Sequence, residues 1–133
     1  MYDVKEHKKG KEKAILVGVI FPGSHSASIE EQLNELALLA DTAGAEIIDH
    51  VTQKRHKIDA ATFIGKGKLE RILEQAEMLS CNLIIFNDEI NPNQIKNIQN
   101  IAGENIKILD RTGLILDIFS KHARTKESKT QIE

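Results

Sequence analysis

Short apolar runs alternate along this chain with longer stretches whose apolar residues recur at helical spacing. Ala14 to Ile20 is apolar almost without a break and reads as a strand buried on both faces. A loop from Phe21 to Ser28 follows, with the turn chemistry of Pro22, Gly23 and Ser24. Ile29, Leu33, Leu36, Ala37 and Ala40 then form a stripe that predicts a helix. Ser28 is its expected N-cap, Glu30 and Glu31 fall in its expected first turn, and Gly44 is its natural stop. Ala45 to Val51 predicts a second strand, less apolar and so nearer a sheet edge.

From Thr52 to Asp59 the periodicity lapses, and the segment reads as a basic loop. Ala60 to Ile64 predicts a short extended piece, and Gly65-Lys66-Gly67-Lys68 a flexible turn. Leu69, Ile72, Leu73, Ala76 and Leu79 give the next helical stripe. Asn82 to Asn87 is the clearest buried strand. Asn91 before Pro92 predicts an N-cap and first-turn proline for a helix carrying Ile95, Ile98 and Ile101, closed by Gly103. Ile106 to Asp110 predicts a fourth strand. A last helix starts near Thr112 and carries Leu114, Leu116, Ile118 and Phe119.

Strands alternating with helices, and no tight hairpin signal, predict an α/β fold: a small parallel sheet of about four strands flanked by helices. Residues 1–13 are polar and read as a flexible leader, residues 14–123 as the α/β domain. Only 4% of the 133 residues are aromatic and none is Trp, so the core must be aliphatic, which suits such a sheet. The longest apolar run is too short to span a bilayer, so no stable membrane insertion is expected and a cytoplasmic location is the default. A single cysteine, Cys81, excludes an internal disulfide framework and reads as a small residue at the core's edge.

The net charge of -2 argues neither for nor against nucleic acid, so only a local patch could. Lys54, Arg55 and Lys57 share one loop, and Lys66 and Lys68 the next. Arg111, Lys121, Arg124, Lys126 and Lys129 lie at or after the last helix entrance. Such a set suits phosphate contacts, and the scarcity of aromatics favours folded RNA backbone over stacked single strands. Gly65-Lys66-Gly67-Lys68 is too short for a P-loop, and Leu69 stands where a magnesium-binding hydroxyl belongs. Ser24 and His25 are adjacent, a poor arrangement for a nucleophile and its base. Asp88 and Glu89 follow the best strand, but adjacent carboxylates diverge, and a solvated loop is the expectation. The five histidines show no zinc-site spacing. No catalytic, cofactor-binding or metal-ligating residue is therefore predicted.

Three segments in order resemble the HflX family of GTPases. They are Asp59 to Lys68, Leu83 to Gln94, and Asp110 to Phe119 followed by Ala123-Arg124-Thr125. The resemblance implies an N-terminal α/β domain, then a helical hairpin, then a GTPase domain. It implies binding to the large ribosomal subunit and its rRNA, a part in splitting or rescuing stalled ribosomes, and modulation of the GTPase domain of the same protein. On that footing residues 124–133 read as the start of a truncated hairpin. The chain carries no P-loop, and no magnesium-binding Asp-x-x-Gly or guanine-reading Asn-Lys-x-Asp downstream of one, so GTP and Mg2+ are expected of a full-length parent and not of this chain. Gly65, Gly67, Asp110, Arg111, Thr112 and Gly113 become structural signature positions. Gly65 and Gly67 read as a backbone requirement of a helix entry, and Arg111 and Thr112 as residues that cap the last helix. Leu114, Leu116, Ile118 and Phe119 read as core and hinge packing. The rival reading is a stand-alone, ATPase-like nucleotide-binding protein using the loops after the first and third strands.

Overall fold

Strand and helix alternate throughout: β1 (Glu12–Ile20), α1 (Ser26–Thr42), β2 (Ala45–Lys54), α2 (Lys66–Met78), β3 (Leu83–Phe86), α3 (Pro92–Ala102), β4 (Lys107–Asp110) and α4 (Arg111–Ile132). This computed structural model describes residues 11–23 and 26–132, the side chains of 26 and 122–132 excepted. Ser24 and His25 lie outside the described residues. The four strands form one sheet in the order β2-β1-β3-β4, every pair parallel.

Strand alternation sends neighbouring side chains to opposite faces and so makes two cores. Ile15, Val17, Val19, Ile84, Phe86 and Ile108 meet Leu69, Ile72, Ala76 and Ile98 of α2 and α3. Ala14, Leu16, Leu83 and Ile85 meet Leu33, Leu36 and Ala40 of α1 and Leu114 of α4. Each large aliphatic side chain so buried contributes about 1.5–3 kcal/mol, which makes β1 and β3 the spine of the domain. Cys81 is buried at the edge of the first core, and burial pushes its thiol pKa up.

Tertiary pairing moves several expected boundaries. β2 continues to Lys54 because it stays in register with β1 to its end, Ile20 opposite Lys54. Lys54 is thus a strand residue and not a loop residue. α1 begins at Ser26, so Glu30 and Glu31 fall beyond its first turn. The expected extended piece at Ala60 to Ile64 is only a bridge between Asp59 and Phe63. The expected flexible turn at Gly65 to Lys68 is the cap and first turn of α2. α4 starts at Arg111, one residue ahead of expectation. Gly44 adopts φ +92° and ends α1 as expected, a conformation costly for a residue with a Cβ.

The two sheet edges are finished differently. On β2 a bulge leaves Ile48 out of register, since Ala14 pairs with Ile47 and Ile15 with Asp49. On β4 the side-chain amide of Gln99 stands where a further strand would pair. Its Nε2 donates to the carbonyl of Ile106 (2.7 Å) and that of Gly103 (2.8 Å), and its Oε1 accepts from the Ile108 N–H (3.2 Å). Both devices protect edges that would otherwise invite pairing.

α4 departs from its expected packing. Leu114 is buried and Ile118 packs on the second core, but Leu116 is 62% and Phe119 67% exposed. At about 100° per residue, Leu116 and Phe119 lie on the side of the helix opposite Leu114. The expectation that all four residues are core or hinge packing holds for only two. Among the described residues, no helix is long and apolar enough to cross a membrane.

Candidate nucleic-acid interface at the carboxyl end of the sheet

In a parallel sheet every strand ends on the same side, and every following helix presents its N-terminus there. The basic candidates gather on one half of this end. Lys54 is the exposed last residue of β2. The Arg55 N–H donates to the Ile20 carbonyl (3.0 Å), which fixes the loop to β1. Its guanidinium folds back, Nε donating to the carbonyl of Lys57 (2.9 Å). Phe21, Pro22, Gly23, Lys54, Arg55 and His56 line a shallow depression of about 310 Å³.

The same guanidinium lies over the entrance of α2. A Cβ built on Gly65 would sit 2.7 Å from Arg55 Nη1, so glycine is what lets arginine and helix approach. Gly65 caps α2 with no side-chain hydrogen bond. The first amides of α2 therefore lie beside Arg55, exposed Lys66 and half-buried Lys68 with no acidic residue in the helix's first turn, the Asp59 carboxylate near Arg55 being taken up by the Ala61 and Thr62 donors. That concentration of positive potential suits a phosphate backbone. Gly67 is different: a Cβ there would meet nothing within 4 Å, so the helix entry makes no such demand at this glycine.

The loop that leads into α2 is held tightly. Asp59 Oδ1 accepts from the N–H groups of Ala61 (2.9 Å) and Thr62 (3.0 Å) and from the Thr62 hydroxyl (3.2 Å). The Thr62 and Ala61 backbone donors hold its carboxyl below the usual carboxylate range. Phe63 takes φ +67°, unusual for a residue with a side chain, and is buried edge-on against Phe86 at 6.3 Å between ring centres. Gln94 of α3 is buried, and its Nε2 donates to the carbonyl of Asp59 (3.0 Å). Asn97 Nδ2 donates to the carbonyl of Ala61 (2.9 Å).

The other half of this end is acidic and fully capped. Asn91 Oδ1 accepts from Gln94 N (2.8 Å) while Gln94 Oε1 accepts from Asn91 N (3.3 Å), a reciprocal capping box at α3. Asp110 Oδ1 caps α4 by accepting from Gly113 N (2.7 Å), and its Oδ2 accepts from Ile90 N (3.0 Å). The cap is thus Asp110, not Arg111 or Thr112 as expected. Arg111 instead ties two other elements together, donating to Asn87 Oδ1 (2.6 Å) and to the Gln32 carbonyl of α1 (3.0 Å). Asn87 Nδ2 in turn donates to Gln32 Oε1 (2.7 Å).

Asp88 is not the solvated loop residue the sequence suggests. Its Oδ2 is buried with no hydrogen-bond partner, and burial pushes its pKa up, with the Val19 backbone and Arg111 pulling the other way. Glu89 beside it is exposed.

The structure therefore brings Lys54, Arg55, Lys57, Lys66 and Lys68 to one end of the molecule. It places Lys121 at the other, where Nζ donates to the Ala43 carbonyl (2.9 Å) and pairs with Asp117 (3.3 Å). The side chains of Arg124, Lys126 and Lys129 lie outside the described residues. Thr112 is exposed beside Gly113, where a Cβ would come within 3.1 Å of Asp110 Oδ1. Gln32, Asn87, Gln94 and Gln99 were not among the expected site residues. Their roles are all side-chain amide bonds, those of Gln32, Asn87 and Gln94 reaching groups far along the chain and those of Gln99 reaching the strand that follows its own helix, and only the Asn91-x-x-Gln94 spacing signals any of them locally.

A nucleoside triphosphate with magnesium does not fit the Gly65–Lys68 entrance. Leu69, in the hydroxyl's place, is fully buried in the core. Among the described residues no cluster of three or more His, Cys, Asp or Glu side chains is placed to hold a metal ion.

Residues 30–120 match the family model described as GTP-binding GTPase N-terminal. The chain is 49% identical over 130 residues to the GTPase HflX of Caldanaerobacter subterraneus subsp. tengcongensis, covering 98% of this chain and 29% of that protein. It is 34% identical over 122 residues to the GTPase HflX of Escherichia coli K12, covering 92% of this chain and 28% of that protein. The chain thus spans less than a third of the length of these curated relatives. The crystal structure of SsGBP in complex with GDP shares the fold, with a TM-score of 0.66 and 23% identity over 91% of this chain and 32% of that one.

Proposed function

The chain belongs to the GTP-binding GTPase N-terminal family and matches the N-terminal domain of HflX GTPases; from that premise we propose that it is the ribosome-binding and regulatory domain of such a GTPase. In this reading it contacts the rRNA of the large subunit in the cytoplasm, serves the splitting or rescue of stalled ribosomes, and modulates the GTPase domain of its parent. GTP and Mg2+ belong to that parent. This chain's own part is to bind and orient, and no hydrolytic step is assigned to its residues.

The observation that carries the reading is the clustering of Lys54, Arg55, Lys57, Lys66 and Lys68 around the uncapped entrance of α2. Phosphate contacts of this kind supply affinity without base reading, so binding falls steeply with salt. Pelleting of a full-length parent with large ribosomal subunits tests it. Changing Lys54, Arg55 and Lys57 to Glu weakens binding at low salt and flattens the salt dependence by about one unit of slope for each phosphate no longer neutralised. Identical binding by wild type and variant across the salt range sinks the assignment. Magnesium-dependent binding of ATP or GTP by this chain alone, seen by calorimetry, would support the rival nucleotide-binding reading instead.

A further inference from the structure

Beside the α2 entrance lies a second surface of different chemistry. Phe21, Pro22 and Gly23 from the end of β1 and Lys54, Arg55 and His56 from the end of β2 line the depression of about 310 Å³. Small-molecule pockets begin at about 300 Å³, so the depression has room for a single flat ring system. Phe21 is half-buried: it packs on the first core and gives the depression its remaining surface. Phe63 and Phe86 are buried and Phe119 belongs to α4, so among the described aromatics Phe21 is the one with surface to offer at the basic end. Gly23 takes φ +88°, as the second corner of a Pro-Gly turn requires, and turns the chain away directly after the ring. None of the described residues that line the depression is acidic.

Arg55 belongs to both surfaces. It lines the depression, and its Nη1 is the atom that a Cβ on Gly65 would crowd. Its position is held from two directions, by its own N–H on the Ile20 carbonyl and by Nε on the carbonyl of Lys57. Arg55 thus stands where an apolar, ring-lined hollow meets the cationic entrance of α2. A nucleotide carries the matching pair of chemistries on one sugar: a flat ring with an apolar face, and an anionic phosphate.

We propose that this depression takes one unpaired nucleobase of a folded RNA, stacked on Phe21, while Arg55 and the α2 entrance hold the phosphates beside it. The inference rests on the RNA-binding reading above and adds a base contact to it. A base within a duplex is stacked on both sides and cannot reach such a hollow, so the occupant comes from a bulge or a loop, where extrusion costs least. The side chains of Phe21, Pro22 and Gly23 carry no hydrogen-bonding group, so the contact reads a flat face and tolerates any base. It is a platform for one base and not a track for a strand, because the depression ends where Pro22 and Gly23 turn.

Two RNA hairpins test this on the 133-residue chain, identical except that one bulged position carries adenine in the first and is abasic in the second. The adenine bulge binds about tenfold tighter at the same salt concentration, the scale of a single stacked base. In NMR spectra of the wild-type chain it moves the Phe21 ring protons upfield, and the abasic hairpin does not. Phe21→Leu keeps an aliphatic side chain against the core and brings the two hairpins to the same affinity. Lys66→Glu weakens both by a like factor and preserves their ratio. Equal affinities of the wild-type chain for the two hairpins, or ring protons that stay in place, overturn the proposal and leave the phosphate reading standing. Binding of neither hairpin at low salt overturns both. AMP bound as tightly as the adenine bulge overturns the proposal as well, since the depression would then serve a free nucleotide. The ring shift needs no variant, so it decides the matter even where Phe21→Leu fails to fold.

Discussion

The entrances of α2 and α3 lie at the same end of the sheet, yet the chain finishes them in opposite ways. At α3, Asn91 and Gln94 satisfy each other's backbone amides and Pro92 removes a third donor. At α2, Gly65 offers no side chain, and the neighbours are Arg55, Lys66 and Lys68. The first arrangement is self-sufficient. The second leaves amide dipoles and cations pointing the same way, a state that an incoming anion relieves. The two are also connected, because Gln94 completes the α3 cap and holds the Asp59 loop that delivers the chain to α2.

That connection is where the contrast is most easily broken. Gln94→Ala removes one member of the capping box and both of its bonds to the Asp59–Ala60 backbone. The expected loss is about 1–2 kcal/mol in denaturant unfolding, because a capping-box bond and the side-chain bonds that hold the Asp59 loop are lost together. Amide exchange should accelerate at Ala61 and Thr62 as well as at the start of α3. A loss confined to α3 would show that the two entrances are independent.

Asp88 sharpens the acidic side of the comparison. Its folded carboxyl has a raised pKa, so as pH rises past the ordinary value of 3.8 the unfolded chain ionises first. The native state holds the extra proton through that window. Stability therefore falls with rising pH until the folded group ionises too. Asp88→Asn removes this decline and is expected to raise stability at neutral pH, because no charge is then held in the buried site. Melting temperatures across about pH 3–8, the span in which carboxylates titrate, decide it. A variant less stable than wild type at neutral pH would mean that the charge is used.

The two glycines of the α2 entrance give the smallest and most diagnostic effects. Gly67→Ala adds a methyl to open space within a helix and should stabilise by about 0.5–1 kcal/mol. Gly65→Ala meets only the far end of the long Arg55 side chain, so the expected stability change is below about 0.5 kcal/mol. It displaces the guanidinium, however, and should weaken subunit binding where Gly67→Ala does not. Equal binding by the two variants would detach Arg55 from recognition.

Much of the layer was legible in the sequence. The continuous runs in β1 and β3, the Asn91-Pro92 start and the Gly44 and Gly103 stops are local signals, and each is decided within a few residues. What escaped depends on distant neighbours. The last three residues of β2 are strand because β1 lies beside them. Four apolar residues in the first turns of α4 announce a helix but not which side is covered, and Leu116 and Phe119 took the open one. At the candidate site, the basic residues near Lys54 and Lys66 were visible as composition. That Arg55 lies across Gly65 was not, because it takes a folded loop to bring these two residues together. Lys121 was grouped with them by charge alone, and the path of α4 separates it.

The amide of Gln99 has a consequence for the growth of the fold. Extending an α/β layer by another strand takes roughly 30 residues of strand and crossover. One side chain performs the terminating task here, so the alternation can stop at β4 without leaving its outer backbone bare. Helix α4 is then relieved of leading to a next strand. Its 22 residues amount to about 33 Å of rod, anchored at one end by Asp110 and Arg111. A sheet edge closed by an amide thus leaves the direction of the last helix unconstrained by strand pairing at β4.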